Sequence, residues 1–208
     1  MSCNAKLRFL YSTMNSGKTL RLLTMAHNFE EKNIPFIVLK PAEDTRDGDG
    51  LIKSRVGLER ECVMVDSDMN IYKAIEEYDK ILQSQLSKLE WILVDECQFL
   101  TREQVDQLAK LVDHFGIDVM CFGLRTDFQT NMFEGSQRLM ELADDIEELK
   151  ARCSCGRKTI INARFDEDGE IVLDGNQIMV GGNETYTPLC RQCYDHYVKA
   201  KLQNNLYF

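Results

Sequence analysis

The sequence lacks the features of a membrane or secreted protein. No apolar stretch approaches the roughly 20 residues that a transmembrane helix requires, and residues 1–6 lack the apolar core of a secretion signal. Proline is scarce, with three in 208 residues, and we find neither an internal repeat nor a low-complexity tract. These absences predict a globular protein of the cytoplasm with no membrane partner.

The sequence also has fewer basic residues than acidic ones. The chain has 25 lysines and arginines against 34 acidic residues, which gives a net charge of −9 and a pI near 4.9. Broad binding to a nucleic-acid backbone needs a positive surface, so no nucleic-acid partner is expected. The acidity is still compatible with one local basic pocket for a nucleotide. A chain of this length buries one substantial core, with one or two domains as the expectation.

Short apolar runs alternate with helical patterns through the first 150 residues. The sequence predicts strands at about 6–11, 36–39, 62–65, 91–94 and 118–123, and helices at about 18–30 and from Ile71 and Thr101 onward. Residues 43–57 are predicted to form a long loop or a hairpin. The alternation predicts an α/β fold with a mostly parallel sheet and ligands at the carboxyl ends of its strands. After residue 150 helical periodicity fades, so we place a boundary there, between a domain of residues 1–150 and one of residues 151–208.

The first predicted strand leads into a phosphate-loop pattern with one departure. The pattern G-x-x-x-x-G-K-[ST] is matched except at its first glycine, which is Ser12. Gly17 lets the backbone approach an anion, Lys18 would neutralise phosphate charge, and the Thr19 hydroxyl would reach Mg²⁺. The alternative is a chance S-G-K-T before a helix. The candidate loop comprises Ser12, Thr13, Met14, Asn15, Ser16, Gly17, Lys18 and Thr19.

Two acidic residues follow the buried run at 91–94. Asp95 is placed to hold Mg²⁺, and Glu96 could take a proton from the group that attacks a γ-phosphate. A surface loop that starts with two carboxylates is the alternative, but the upstream loop makes chance a poor explanation. If water attacks, the protein is an ATPase, and if a hydroxyl attacks, it is a kinase. A short, acidic, self-contained chain favours a small-molecule kinase over a zinc-containing ATPase that acts on nucleic acid.

The eight cysteines fall into two groups. Cys3, Cys62, Cys97 and Cys121 are scattered and fit small buried hydrophobic residues. Cys153, Cys155, Cys190 and Cys193 form a C-x-C…C-x-x-C set, which predicts a structural Zn²⁺ rather than a redox pair or unliganded core cysteines. His196 is an alternative ligand or a surface histidine. The metal would close a loop that contains residues 174–177 and 181–183, a predicted substrate lid.

Taken in order, these motifs closely resemble the type II (cytosolic-type) thymidine kinase family over essentially the whole chain. The matching stretches are residues 11–19, 94–100, 123–128, 153–158, 181–186 and the final C-x-x-C. The resemblance implies a RecA-like P-loop domain, a small zinc domain with a lasso-like lid, and a homotetramer. It further implies that ATP phosphorylates the 5′-hydroxyl of thymidine, and that thymidine triphosphate inhibits by occupying the site.

The resemblance also implies roles for single residues. Glu96 would be the catalytic base, and Asp95, Glu96, Cys97 and Gln98 would join the phosphate loop in binding ATP and Mg²⁺. Phe128, Phe133 and Tyr186 have packing or strand roles as their alternatives, and Arg125 is either a transition-state cation or an exposed loop arginine. The residues expected to contact the nucleoside are Met14, Arg46, Leu124, Phe128, Phe133 and Tyr186.

Overall fold

The computed structural model describes residues 4–44, 50–84, 88–177 and 186–204. The strands are β1 (Leu7–Ser12), β2 (Phe36–Pro41), β3 (Leu51–Lys53), β4 (Glu59–Glu61), β5 (Val63–Val65), β6 (Trp91–Val94), β7 (Asp118–Leu124), β8 (Asp145–Glu148), β9 (Ile161–Phe165), β10 (Ile171–Val172) and β11 (Tyr186–Leu189). The helices are α1 (Lys18–Glu31), α2 (Ile71–Ser84), α3 (Arg102–Phe115), α4 (Glu134–Leu142) and α5 (Arg191–Asn204), with a 3₁₀ turn at Cys97–Phe99.

A six-stranded parallel sheet organises the first part of the chain. Its strand order is β5-β2-β6-β7-β1-β8, and every neighbouring pair runs parallel. The predicted α/β class with a parallel sheet is therefore confirmed. Because β7 lies between β1 and β6, the residues after β1 and after β6 meet at one edge of the sheet, where ligands bind in folds of this kind.

Apolar residues on the two faces of the sheet pack against different helices. On one face, side chains of α2, α3 and α4 cover a cluster that includes Phe9 and Val119. On the other face, α1 and Ile52 of β3 pack around Leu10 and Phe122. Alternate residues of a strand point to opposite faces, so β1 contributes to both clusters. Among the described residues, no helix is long and apolar enough to cross a membrane.

A smaller unit follows the parallel sheet. Its three antiparallel strands have the order β10-β9-β11, and a separate apolar cluster packs between them and α5. The short strands expected after residue 150 are thus present. The predicted loop or hairpin at residues 43–57 contains β3, which pairs antiparallel with β4 just beyond that range, while residues 45–49 lie outside the described part of the chain.

Three elements, α4, β8 and α5, are missing from the sequence-based predictions, and the structure gives the reason for β8 and α5. In β8 the side chains of Asp145, Ile146 and Glu147 are exposed at the sheet edge, so the strand carries no apolar pattern and pairs through its backbone with β1. The loss of helical periodicity after residue 150 did not predict α5. This helix is present but has only a thin apolar stripe, which includes Tyr194 and Val198, so its periodic signal in the sequence is weak.

The start of α3 follows the predicted capping pattern. The Thr101 hydroxyl accepts a bond from the Gln104 N–H at 3.2 Å, and the Gln104 side-chain oxygen accepts one from the Thr101 N–H at 3.1 Å. This reciprocal capping box satisfies two N–H groups that would otherwise lack partners at the helix start. It fixes the point at which the chain turns into α3 after the 3₁₀ turn.

Close packing of α4 on the 3₁₀ turn makes Gly135 sensitive to substitution. A Cβ atom there would lie 2.6 Å from the carbonyl oxygens of Cys97 and Leu100, and backbone cannot move aside as a side chain can. Gly135→Ala should therefore lower the free energy of unfolding by about 1–3 kcal/mol, although alanine normally favours a helix. Urea unfolding measures the change. Gln137→Ala, on the exposed side of the same helix, should stay within about 0.5 kcal/mol of the parent, and a stabilised Gly135→Ala would contradict the packing argument.

Candidate active site

One cavity of about 590 Å³ lies at the carboxyl edge of the parallel sheet. It brings together most of the residues that the sequence singled out. Those that line it are Met14, Asn15, Ser16, Gly17, Lys18, Thr19, Asp95, Glu96, Gln98, Leu124, Phe128, Phe133 and Tyr186. The cavity therefore joins the phosphate-loop pattern, the paired carboxylates and the aromatic positions in a single space.

The loop between β1 and α1 has the conformation that an anion-binding loop requires. Asn15 and Gly17 both have left-handed backbone angles, with φ of 61° and 86°. The Lys18 ammonium group and the Ser16 hydroxyl each donate a hydrogen bond to the Thr13 carbonyl oxygen at 2.9 Å. Helix α1 begins at Lys18, so the positive end of the helix and the lysine both lie at the cavity. This geometry suits a bound polyphosphate.

The first residues of the same loop are hydrogen-bonded to the chain between β8 and β9 and to β9 itself. The Ser12 hydroxyl donates to the Leu149 carbonyl oxygen. The Thr13 hydroxyl pairs with that of Thr159 at 2.8 Å. The Met14 N–H donates to the side-chain oxygen of Asn162, also at 2.8 Å. The serine that replaces the usual glycine thus has a hydrogen-bonding partner of its own.

Asp95 has the chemistry of a magnesium ligand. Its Oδ2 accepts a hydrogen bond from the Thr19 hydroxyl at 3.0 Å, and its Oδ1 is buried with no hydrogen-bond partner among the described residues. Burial, together with the charge of Glu96, raises the pKa of Asp95 to about 7. A partnerless carboxylate oxygen beside a threonine hydroxyl fits a hard cation, because Mg²⁺ prefers oxygen ligands and its charge would favour the ionised carboxylate.

Glu96 lies next to Asp95 in a strained conformation. Its backbone is left-handed, with φ 48° and ψ 38°, which is uncommon for a residue with a side chain. The Gln98 side-chain amide donates to Glu96 Oε2 at 2.5 Å. A short hydrogen bond to a charged acceptor orients that acceptor. The Gln98 amide therefore orients the Glu96 carboxylate in the cavity.

Aromatic residues form another wall of the cavity. Phe128 is buried, and the Arg164 guanidinium lies 4.0 Å from the centre of its ring. Phe133 packs edge-on against Phe99, with 5.7 Å between ring centres. Aromatic faces of this kind suit the stacking of a nucleobase. Tyr186, half-buried at the start of β11, brings the smaller unit to the same cavity.

Several residues at the cavity were not identified from the sequence. Asp127 accepts a hydrogen bond from Gln177 at 2.9 Å, and Asn162 reaches the cavity from β9. Asp127 lies in the 123–128 stretch and Gln177 in the predicted lid segment, but neither was singled out as a site residue, and Asn162 belongs to none of the sequence motifs. The further residues that line the cavity without having been predicted as site residues are Leu20, Glu43, Asp44, Lys53, Ser54, Arg55, Val56, Gly57, Phe99 and Thr126.

A few predicted positions lie away from the cavity. Cys97 is fully buried in the apolar cluster beneath the sheet edge. Arg125 lies over the ring of Tyr11 at 5.7 Å and is not among the described residues that line the cavity. Arg46, which the family resemblance assigns to substrate contact, lies outside the described residues.

The four clustered cysteines converge as the spacing predicts. The Sγ atoms of Cys153, Cys155, Cys190 and Cys193 all lie within 4.8 Å of one another. A tetrahedral zinc with Zn–S bonds of about 2.3 Å would place them about 3.8 Å apart, so the cluster could hold a zinc ion with little movement. His196 is exposed and does not belong to the cluster. Cys97 and Cys121 are buried and Cys62 is half-buried, as small hydrophobic residues would be.

Comparison with known proteins agrees with this site. A family model described as thymidine kinase matches residues 5–194. The chain is 44% identical over 191 residues to a thymidine kinase of Streptococcus pyogenes serotype M3, and the matched region covers 91% of this chain and 97% of the relative. It is 46% identical, with the same coverage, to a thymidine kinase of Streptococcus agalactiae serotype Ia. The chain therefore belongs to the thymidine kinase family and is a nucleoside kinase, an enzyme of the transferase class.

Proposed function

We propose that this protein transfers the γ-phosphoryl group of ATP to the 5′-hydroxyl of thymidine, giving thymidine monophosphate and ADP. The observation that carries the proposal is the single cavity, which is lined at once by the phosphate loop, by Glu96 and by aromatic side chains. In the reaction the 5′-oxygen bonds to the γ-phosphorus, the bond from that phosphorus to the β–γ bridging oxygen breaks, and the hydroxyl proton leaves to a base.

The phosphate loop is the proposed ATP site. Its backbone N–H groups and the Lys18 ammonium would hold and neutralise the phosphates, which in phosphoryl transfer supplies much of the acceleration. A bound Mg²⁺ would add further neutralising charge, and the Thr19 hydroxyl and the Asp95 carboxylate are the groups that would hold it. The Gln98 amide is hydrogen-bonded to Glu96 and Leu124. We therefore assign Gln98 a role in arranging the site instead of direct contact with ATP.

Glu96 is the proposed base. Its carboxylate lines the cavity beside Asp95 and is held by the Gln98 amide. It would accept the proton of the 5′-hydroxyl as the oxygen attacks phosphorus. Base catalysis of this kind contributes roughly 10²–10⁴-fold to a rate.

The aromatic wall is the proposed nucleoside pocket. Phe128 and Phe133 would stack on or enclose the base, with Leu124, Met14 and Tyr186 completing the enclosure. Zinc at the four cysteines would fix both ends of the loop that contains residues 174–177 and 181–183, the proposed lid, of which residues 181–183 lie outside the described part of the chain. This arrangement supports binding of a single nucleoside in an enclosed space.

Deoxyuridine should be a weaker substrate than thymidine. The two differ by one methyl group, and an apolar pocket discriminates one methyl by about 1–3 kcal/mol, or roughly 10–200-fold in kcat/KM. Steady-state kinetics with each nucleoside at saturating ATP measure the ratio. Equal kcat/KM values would show that the aromatic wall does not recognise the 5-methyl group.

Measuring ADP formation with thymidine, with single-stranded DNA, and with neither tests the proposed activity directly. We expect thymidine to be required and thymidine monophosphate to appear in a one-to-one ratio with ADP. Hydrolysis that DNA stimulates without any dependence on thymidine would contradict the kinase and support the zinc-containing ATPase instead.

Four further features remain predictions, two of them from the sequence itself and two from the family resemblance. They are the division into a P-loop domain of residues 1–150 and a zinc-binding lid domain of residues 151–208, the homotetramer, inhibition by thymidine triphosphate, and the cytoplasmic location. The antiparallel sheet with its own apolar cluster supports the second domain. Sedimentation and inhibition kinetics test the tetramer and the inhibitor.

A further inference from the structure

Gln98 is a buried glutamine whose amide nitrogen and amide oxygen are each hydrogen-bonded to a different neighbour. Its side chain is 2% exposed in the 3₁₀ turn after Glu96. The Nε2 atom donates to Glu96 Oε2 at 2.5 Å, and the Oε1 atom accepts the Leu124 N–H at 3.0 Å. One planar group therefore links the carboxylate proposed as the base to the end of β7.

The space that Gln98 occupies depends on a glycine in the facing strand. A Cβ atom at Gly123 would lie 2.7 Å from Gln98 Oε1 and 2.6 Å from the Cys97 sulfur. Gly123 has no left-handed backbone angle to account for it, so the glycine serves close approach rather than backbone freedom. The absence of a side chain at Gly123 thus leaves space for the Gln98 amide beside β7.

Glu96 needs such a support. Its left-handed backbone costs on the order of 1–3 kcal/mol and persists only where the surroundings enforce it. The carboxylate of Asp95 lies next to that of Glu96, and the Gln98 amide donates a hydrogen bond to the Glu96 carboxylate. This donor favours one orientation of the Glu96 carboxylate in the cavity.

We propose that Gln98 is a positioning residue that fixes the Glu96 carboxylate relative to the nucleoside pocket. Leu124, whose N–H the same amide holds, lines the cavity together with Phe128. The amide therefore ties the base to the wall against which the nucleoside would pack. The inference rests on the proposed function and deepens it, because it assigns to Gln98 the orientation of the base rather than contact with ATP.

The test is a double-mutant cycle between Gln98→Met and Glu96→Gln. Methionine is close to glutamine in size but makes neither hydrogen bond. In the parent background, Gln98→Met should lower kcat on the order of 10²-fold and leave the KM values for ATP and thymidine nearly unchanged. In the Glu96→Gln background it should have no further effect on the residual rate, because residues that act as a unit are not additive.

Two further variants separate positioning from loss of fold. Gly123→Ala adds a methyl group against the amide and should lower kcat in the same direction, again with no added effect once Gln98 is methionine. Gln107→Met is the matched control, because Gln107 is 6% exposed and its amide oxygen accepts the Ile71 N–H at 2.7 Å in the α2–α3 packing. It should lower the midpoint of unfolding and leave kcat unchanged.

The possible outcomes are distinct. An equal loss of rate from Gln98→Met in both backgrounds, or a raised KM for ATP with normal kcat, would overturn the positioning role. A fall in kcat for Gln107→Met as large as that for Gln98→Met would do so as well, since general loss of packing would then explain both. If Glu96→Gln alone retains a normal rate, the proposed base is wrong, and this result is seen before Gln98 is changed.

Discussion

Glu96→Gln should reduce thymidine phosphorylation to a small residual rate while ATP still binds. The amide keeps the size of the side chain but cannot accept the hydroxyl proton, so the rate should fall by roughly 10²–10⁴-fold. ATP binding should persist because Lys18 and the loop amides remain in place. Steady-state rates and equilibrium binding of a fluorescent ATP analogue measure the two quantities separately.

The adjacent carboxylate provides the matched comparison. Asp95→Asn keeps the acceptor for the Thr19 hydroxyl but removes the charge proposed to hold Mg²⁺. It should weaken binding of magnesium–ATP, whereas Glu96→Gln should not. If the two variants lose binding and rate in the same proportion, the separate roles assigned to these neighbours are wrong.

Cys190→Ser should remove bound zinc and destabilise the smaller unit. Cys153 and Cys190 are both buried in the apolar cluster of β9–β11 and α5, so a metal there would also support packing. Structural zinc binding contributes about 10–16 kcal/mol in zinc-finger peptides, and loss of one ligand should cost several kcal/mol of that. Metal analysis and urea unfolding are the measurements.

Cys190→Ser should also affect the binding of ATP. Thr13 and Met14 are hydrogen-bonded to Thr159 and Asn162, which lie next to or within β9. Cys190→Ser should therefore weaken ATP binding, although no cysteine of the cluster lines the cavity. Cys62→Ser, outside the cluster, should retain full zinc content and ATP affinity. Normal zinc content in Cys190→Ser would contradict the assigned ligand set.

The parts of the fold and of the site that could be predicted from the sequence are those defined by neighbouring residues. The buried strands at 91–94 and 118–123 are continuous apolar runs, and the phosphate loop is a contiguous pattern between a strand and a helix. The cysteine spacing likewise predicts the observed cluster. In each case a few neighbouring residues are sufficient to define the feature.

Features that depend on distant partners were not accessible in this way. β8 is held by backbone pairing and by the Asp144 carboxylate, which accepts the Leu7 N–H at 2.8 Å. Asn162 and Gln177 reach the cavity only because the smaller unit meets the parallel sheet there, and Gln177 donates a hydrogen bond to Asp127. No periodicity or spacing along the sequence encodes such contacts, since each is defined by a residue more than one element away.

The hydrogen bonds made by the first turn of the phosphate loop also bear on the order of folding. Ser12, Thr13 and Met14 have partners that follow them by 137, 146 and 148 positions. Contacts of such long range close late, because the entropy of a long loop must be overcome first. During synthesis from the N-terminus, the segment made among the earliest would therefore be among the last to reach its final form. A nascent chain would acquire its nucleotide affinity only after residues 149–162 have been made and can fold back onto the loop.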